Sequence, residues 1–167
     1  MKILLIFFIC FTQAISSYAQ TTENDFERGM AKLNLKDYKG ANEDLTKAIK
    51  LNSKNAEAYI FRGRAKFYLK DYKGAIKDLT KAIDLNPQYE EAYYYRANVK
   101  SLLKDYKGAI KDYTKVIELN PQKADAYSNR GMMYILLKKR EEGCLDFSKA
   151  GELGNEGSYK MLEIYCN

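Results

Sequence analysis

The chain has 167 residues, of which 46% are hydrophobic and 30% charged, with a formal net charge of +6. That is enough for one packed domain of ordinary size, rich in helix formers and with only two prolines. Histidine is absent, which excludes a histidine-based triad, histidine metal ligands and a histidine general base.

The N-terminus has the build of an export signal. Lys2 precedes the apolar run Ile3–Phe11, and the small residues Ser17 and Ala19 flank Tyr18. The run is too short to span a bilayer, so cleavage after Ala19 is expected, leaving a periplasmic or secreted protein with no permanent membrane span. An uncleaved anchor is the alternative. Cys10 would leave with the signal, while Cys144 and Cys166 remain. Two cysteines alone cannot make a structural zinc site, and an even pair in an oxidising compartment favours a disulfide. A basic balance attracts nucleic acid, acidic polymers or anionic lipid, but export argues against a nucleic-acid partner.

Beyond a short polar lead, the phrase Asp-Tyr-Lys-Gly-Ala recurs at 37–41, 71–75 and 105–109, one copy every 34 residues. A fixed period of this length means stacked copies of one supersecondary unit. Four frames follow, 22–55, 56–89, 90–123 and 124–157, with a tail at 158–167. Each frame holds two amphipathic helices, A then B. In the second frame A is expected over about Ala56–Leu69, with Tyr59, Gly63, Phe67 and Leu69 on its apolar side, and B over about Tyr72–Leu85. Asp71 is placed to cap the free N–H groups of helix B, and Asn86-Pro87 stops it. Small residues recur at matching positions: Gly29, Gly63, Ala97 and Gly131 on A, and Ala41, Ala75, Ala109 and Gly143 on B. Leu45, Leu79, Tyr113 and Phe147 fill the space beside them. No frame buries its apolar face alone, so stability comes from the interfaces between neighbours.

This 34-residue helix–turn–helix, with small residues at its eighth, twentieth and twenty-seventh positions, resembles the tetratricopeptide repeat, here in an exported protein of bacterial type. Tyr59, Tyr93 and Tyr127 supply the fourth-position aromatic, and Pro87 and Pro121 the late proline. The resemblance implies an all-α, right-handed α-solenoid of four repeats plus a C-terminal capping helix. The first frame departs at Asp25 and Ser53, and the fourth at Lys139-Arg140 and at its extra glycines. Degenerate end repeats are expected where one side meets water.

In this family the A helices line an inner groove. Carried over position by position, the groove candidates are Ile60, Phe61, Arg64, Tyr68, Tyr94, Tyr95, Asn98, Asn129 and Met132. Phe67 and Leu102, on the same helices, are expected in the packing between repeats instead. Rigid aromatics beside arginine and asparagine suit a peptide or a partner helix. Some relatives clamp chaperone tails with a lysine, asparagine and arginine set. Here only Asn98 and Asn129 match it, Tyr94 replaces a lysine, and the tail offers Tyr159 and Glu163. Chaperone-tail binding is therefore not expected.

The tail, with Tyr159, Leu162 and Tyr165, reads as a short cap over the last repeat, after a turn at Asn155–Gly157. Cys144 lies eleven residues before Asn155 and Cys166 eleven after it, which in a helical hairpin sets the two level. A Cys144–Cys166 disulfide is expected, two free thiols being the alternative.

Two charge patterns remain. Arg28, Arg62, Arg96 and Arg130 recur in register with Asp44, Asp78, Asp112 and Asp146, sixteen residues later in each frame. Matched carboxylates favour structural ion pairs over an anion-binding arginine ladder. Lys73, Lys77 and Lys81 form a stripe on one B helix, repeated by Lys107, Lys111 and Lys115 on the next. A solvated outer face is the expected reading, and docking of an acidic surface polymer the alternative. With no phosphate-cradling loop and no cofactor motif, neither an enzyme nor a cofactor is expected. The sequence reads as a non-catalytic scaffold or protein-binding module of the cell envelope.

Overall fold

The computed structural model describes residues 24–167. The export signal and the cleavage point expected after Ala19 lie outside the described residues. Among those described, nine α-helices and no strand are present: α1 (24–34), α2 (Tyr38–Leu51), α3 (Ala56–Tyr68), α4 (Tyr72–Leu85), α5 (Glu90–Leu102), α6 (Tyr106–Leu119), α7 (Ala124–Leu136), α8 (Arg140–Glu152) and α9 (Glu156–Tyr165). Odd-numbered helices through α7 are the A helices and even-numbered ones the B helices. Each A helix packs on its own B helix, and each B helix on the next A helix, which makes an all-α solenoid. The A helices α3 and α5 also touch each other, so the A helices line the inner side. No helix among the described residues is long and apolar enough to cross a membrane.

The recurring phrase is a helix start. Asp37, Asp71 and Asp105 cap α2, α4 and α6, each carboxylate accepting the N–H of the glycine three residues on at 2.9 Å. That glycine has a steric reason: a Cβ on Gly74 would lie 2.1 Å from the Asp71 carboxylate. The tyrosine half-covers the joint, and Ala41, Ala75 and Ala109 are wholly buried.

Small and large residues interlock across each A–B pair. Leu45 and Leu79 are fully buried against Gly29 and Gly63, where an added Cβ would come within 2.7 and 2.8 Å of the leucine Cγ. Burying such a leucine contributes about 2 kcal/mol. In the fourth repeat Phe147 takes the leucine's place. There the α7 and α8 backbones approach so closely that a Cβ on Gly131 would meet the Gly143 carbonyl oxygen at 3.0 Å.

A polar joint runs beside this core. Arg62 donates through Nε and Nη2 to both oxygens of Asp78 at 2.7 Å, and Arg96 and Arg130 do the same to Asp112 and Asp146. Arg28 clasps Asp44 likewise and also pairs with Asp25. The joint extends beyond the single repeat that the recurring pair suggests. Arg62 reaches back to Thr46 at 3.2 Å, Arg96 to Thr80 at 3.1 Å and Arg130 to Thr114 at 3.0 Å, each on the preceding B helix. Lys32, Lys66 and Lys100 add a second cation to Asp44, Asp78 and Asp112 at 2.7–2.8 Å. The Asp44 carboxyl is held well below the usual carboxylate range, chiefly by its hydrogen bonds from Arg28, against the opposing pull of burial.

Two apolar residues of the A-helix ends differ from expectation. Leu69 is exposed, and Leu102 is 54% exposed instead of packed between repeats. Both lie at a helix C-terminus, where the chain turns out towards α4 and α6.

The C-terminal hairpin also departs from the repeat frame. Helix α9 starts at Glu156, two residues before the tail expected at 158. The turn from α8 to α9 copies the turn inside each repeat. Gly154 has φ +91° and its N–H bonds the Gly151 carbonyl, as Lys70 with φ +63° bonds that of Phe67. Asn155 is the N-cap, so Ser158 takes the buried place that Ala58, Ala92 and Ala126 hold three residues after their own caps. The tail residues aligned with groove positions in the family frame are therefore two positions out of step. Cys144 and Cys166 are joined by a disulfide with Cα atoms 5.8 Å apart, and Tyr165 stacks on Phe147 at 6.5 Å.

Candidate functional site

The inner faces of α3 and α5 carry aromatic rings, with Arg64 between the two sets. Phe61 on α3 meets Phe26 edge-on at 5.8 Å, and Tyr68, one helix end further, stacks on Tyr38 at 4.4 Å. On α5, Tyr94 and Tyr95 stand edge to face at 5.8 Å, and Tyr94 also leans on the buried Tyr113 at 6.0 Å. Asn129 on α7 donates to the Tyr94 hydroxyl at 3.3 Å, while the Tyr113 hydroxyl donates to Asn98 at 2.5 Å. The first bond fixes Tyr94 from the following repeat, and the second ties α6 to α5 within the third.

Beside them lies a cavity of about 350 Å³ with an apolar floor of Phe67, Leu102, Met132 and Met133 and the amides of Asn98 and Asn129 at its wall. Apolar space with a few fixed polar groups is the usual composition of a recognition pocket. Burial pushes the Tyr94 and Tyr95 hydroxyls above their ordinary value, helped at Tyr94 by the Asp125 charge and opposed at Tyr95 by Arg64. Both remain protonated donors at neutral pH.

Arg64 is held between the Phe61 ring at 5.4 Å and the Tyr95 ring at 4.9 Å. Tyr68 is 45% exposed and offers an open ring at the first-repeat end of the same surface.

Of the groove candidates, eight lie on this inner surface: Phe61, Arg64, Tyr68, Tyr94, Tyr95, Asn98, Asn129 and Met132. Ile60 does not. It is 1% exposed and packs with Ala75, Leu79 and Ala92 in the core, because its position on α3 faces the interface with the next repeat. Phe67 and Met133, by contrast, line the pocket without having been singled out as ligand contacts. Their signal was present as apolar residues one turn from Arg64 and Asn129, but periodicity alone cannot divide such residues between core and groove.

The lysine stripes stand elsewhere. Lys77 and Lys81 line a cavity of about 610 Å³ with Tyr59 and Arg62, and Lys111 and Lys115 one of about 410 Å³ with Tyr93 and Arg96. Each cavity also holds a carboxylate besides the buried aspartate, Asp84 or Glu118, and Lys115 pairs with Glu118 at 3.0 Å. Their positive charge is therefore partly compensated within the protein. Three arginines of the recurring pair, Arg62, Arg96 and Arg130, have their guanidinium donors committed to aspartate and threonine, and Arg28 has its own committed to two aspartates.

Family models described as tetratricopeptide repeat match residues 26–55 and 90–123, and one described as TPR repeat matches 63–104, together more than half of the chain. The chain belongs to the tetratricopeptide repeat family. Among solved structures, this repeat protein is similar to MamA, with 28% identity over 89% of this chain and 87% of that one and a TM-score of 0.79. It is also similar to the first TPR of Spaghetti (RPAP3) bound to the HSP90 peptide SRMEEVD, with 28% identity, 71% and 94% coverage and a TM-score of 0.69. A third, YrrB, described as a TPR protein with an unusual peptide-binding site, shares the fold at 21% identity, 96% and 87% coverage and a TM-score of 0.76. No curated protein matches the sequence significantly. The fold and these neighbours make the chain a protein-interaction module.

Proposed function

We propose that this tetratricopeptide repeat protein binds an extended peptide or a partner helix in the groove of its A helices, as a non-catalytic scaffold of the cell envelope. The observation that carries this reading is the pocket of about 350 Å³ set beside ordered, half-buried tyrosines. Rigid aromatics give large contact area for little lost torsional freedom. Similarity to a structure that holds a peptide supports the same class of ligand. The export signal of Lys2 and Ile3–Phe11, together with a disulfide, supports placement outside the cytoplasm.

The test is affinity capture from envelope fractions with wild type and a Tyr68→Ala/Tyr95→Ala double variant, both checked for an unchanged melting curve. Proteins held by wild type alone are expected. Identical recoveries from both would end the groove reading. Mass spectrometry of the exported protein is expected to find Gln20 first, and an intact Met1–Ala19 would overturn cleavage.

A further inference from the structure

Arg64 differs from the other described arginines. Arg28, Arg62, Arg96 and Arg130 each clasp an aspartate, and Arg140 donates to the backbone oxygens of Tyr165 and Asn167. Among the described residues Arg64 has neither an ion pair nor a hydrogen bond, and its Nε is sealed from solvent without an acceptor. The side chain is nevertheless fixed, because the Phe61 and Tyr95 rings hold the guanidinium from two sides. The residue as a whole is only partly buried, and the Nε is the one guanidinium nitrogen sealed without an acceptor. Nearby carboxylates are committed or peripheral: Glu57 accepts from the Tyr89 hydroxyl at 3.0 Å, Asp125 from Asn155 at 2.9 Å, and Glu91 is exposed without pairing Arg64.

A planar cation stacked between rings keeps its in-plane N–H groups free, and those match the two oxygens of a carboxylate. Stacking also removes the rotamer entropy that a free arginine would lose on binding. We infer that Arg64 is the specificity anchor of the groove and takes an Asp or Glu side chain of an extended peptide partner. This rests on the groove reading above and deepens it. The net charge of +6 complements such a ligand. A chain-terminal carboxylate is the less fitting source, because termini are captured by several converging donors, and here the other cation of the line, Lys123 over the Tyr94 ring at 5.6 Å, is already paired with Glu90 at 3.3 Å. From Arg64 the line Tyr95, Tyr94, Asn129 leads to the apolar pocket. The bound segment therefore carries an acidic residue at a fixed spacing from an aliphatic one.

The test is selection of random linear 12-residue peptides on the purified, disulfide-bonded protein, with Arg64→Gln and Arg64→Lys selected in parallel. Wild type is expected to enrich peptides with Asp or Glu at constant spacing from Leu, Ile or Met. Arg64→Gln should keep the aliphatic preference and lose the acidic one, with affinity for the wild-type winner falling about 10- to 100-fold, the range of a charge-assisted hydrogen-bonded pair. Arg64→Lys, which keeps the charge and the packing but loses the planar fork, should fall in between. Peptides without acidic preference, bound equally by Arg64→Gln, would overturn this inference and leave the groove standing. Loss of binding on amidating the peptide C-terminus would overturn the side-chain assignment. Failure to enrich any peptide would sink the groove reading and the anchor together.

Discussion

In the second and third repeats each buried aspartate receives an arginine and a lysine, and each B helix opens on an aspartate cap. In the fourth, Tyr134 stands where Lys66 and Lys100 stand earlier, and Lys139 replaces the capping aspartate and makes no side-chain cap bond. The arginine remains over Tyr127 at 5.7 Å, as Arg62 and Arg96 lie over Tyr59 and Tyr93, and it gains a second ring, Tyr134, at 5.9 Å. What the fourth repeat lacks in polar fixings it has in covalent and steric ones: the Cys144–Cys166 bond, the stacked Tyr165 and the close Gly131–Gly143 approach. An interior repeat is confined by neighbours on both sides. A terminal one has a neighbour on one side only, and a cross-link there removes the freedom that a missing neighbour would have removed.

The largest effect is expected from breaking the interior joint. Asp78→Asn leaves Arg62 and Lys66 without a carboxylate, with side chains only 15% and 19% exposed, and should cost about 3 kcal/mol. Asp146→Asn strands one cation that already rests on two rings, so its cost in urea unfolding should be clearly smaller. Equal costs would show that the lysines and the ring contacts do not distinguish the two ends. The same joint sets the acid response. The Asp44 carboxyl is depressed in the folded chain, so the stability it contributes is present above its unfolded value of about 3.9 and is lost as pH falls through the lower folded value. Stability between pH 7 and 5 should be nearly flat and then fall, and Asp44→Asn should flatten that fall. An unchanged acid limb in the variant would remove Asp44 from the account.

Next comes the cross-link. Reducing Cys144–Cys166, which closes a loop of 22 residues, should cost about 3 kcal/mol in the chain-entropy model. Amide exchange is expected to rise in α8 and α9 and to stay unchanged in α3 through α6. Uniform acceleration along the whole solenoid would mean that the end is not a separate unit. Overpacking should rank the same two regions in the opposite order from the aspartates. Gly63→Ala meets the Cγ of Leu79 at 2.8 Å, a side-chain atom that can shift with its rotamer, whereas Gly131→Ala meets a backbone carbonyl at 3.0 Å, which can move only with its helix. About 1 kcal/mol is expected for the first and about 2–3 for the second.

Much of the scaffold was legible because its signals are short in range or strictly periodic. The Asp71 cap, the bounds of α4 and the matched Arg62–Asp78 pair follow from spacing within one frame. The Thr46, Thr80 and Thr114 contacts were equally periodic, sixteen residues before each arginine, but a hydroxyl carries no charge to mark it as a partner. The groove was less legible. Ile60 and Phe61 are adjacent on α3, yet one enters the core and the other the groove, and that division depends on the angle at which the next repeat packs. The Arg64 clasp joins α3 to α5, and no pattern within a single frame announces it. The two-residue shift of α9 came from a glycine turn used where earlier repeats have a proline or its equivalent.

The smallest expected effect lies in the turns themselves. Lys36, Lys70, Lys104 and Lys138 all hold φ of 62–63°, a left-handed backbone that the N–H bonds of the following turn enforce. An L-residue there costs about 1–2 kcal/mol, and glycine removes that strain while adding about 0.5–1 kcal/mol of unfolded-state entropy. The two nearly cancel, so Lys70→Gly should stabilise by only about 0.5 kcal/mol. The end of the chain supplies the converse: the matching turn already has Gly154 at φ +91°, with open space where a Cβ would go. Gly154→Ala therefore tests conformation without a clash and should destabilise by about 1 kcal/mol. Opposite signs in paired urea titrations would show that the interior turns carry strain that the terminal turn has shed. A loss of stability in Lys70→Gly would show instead that the lysine side chains contribute something the backbone angles do not express.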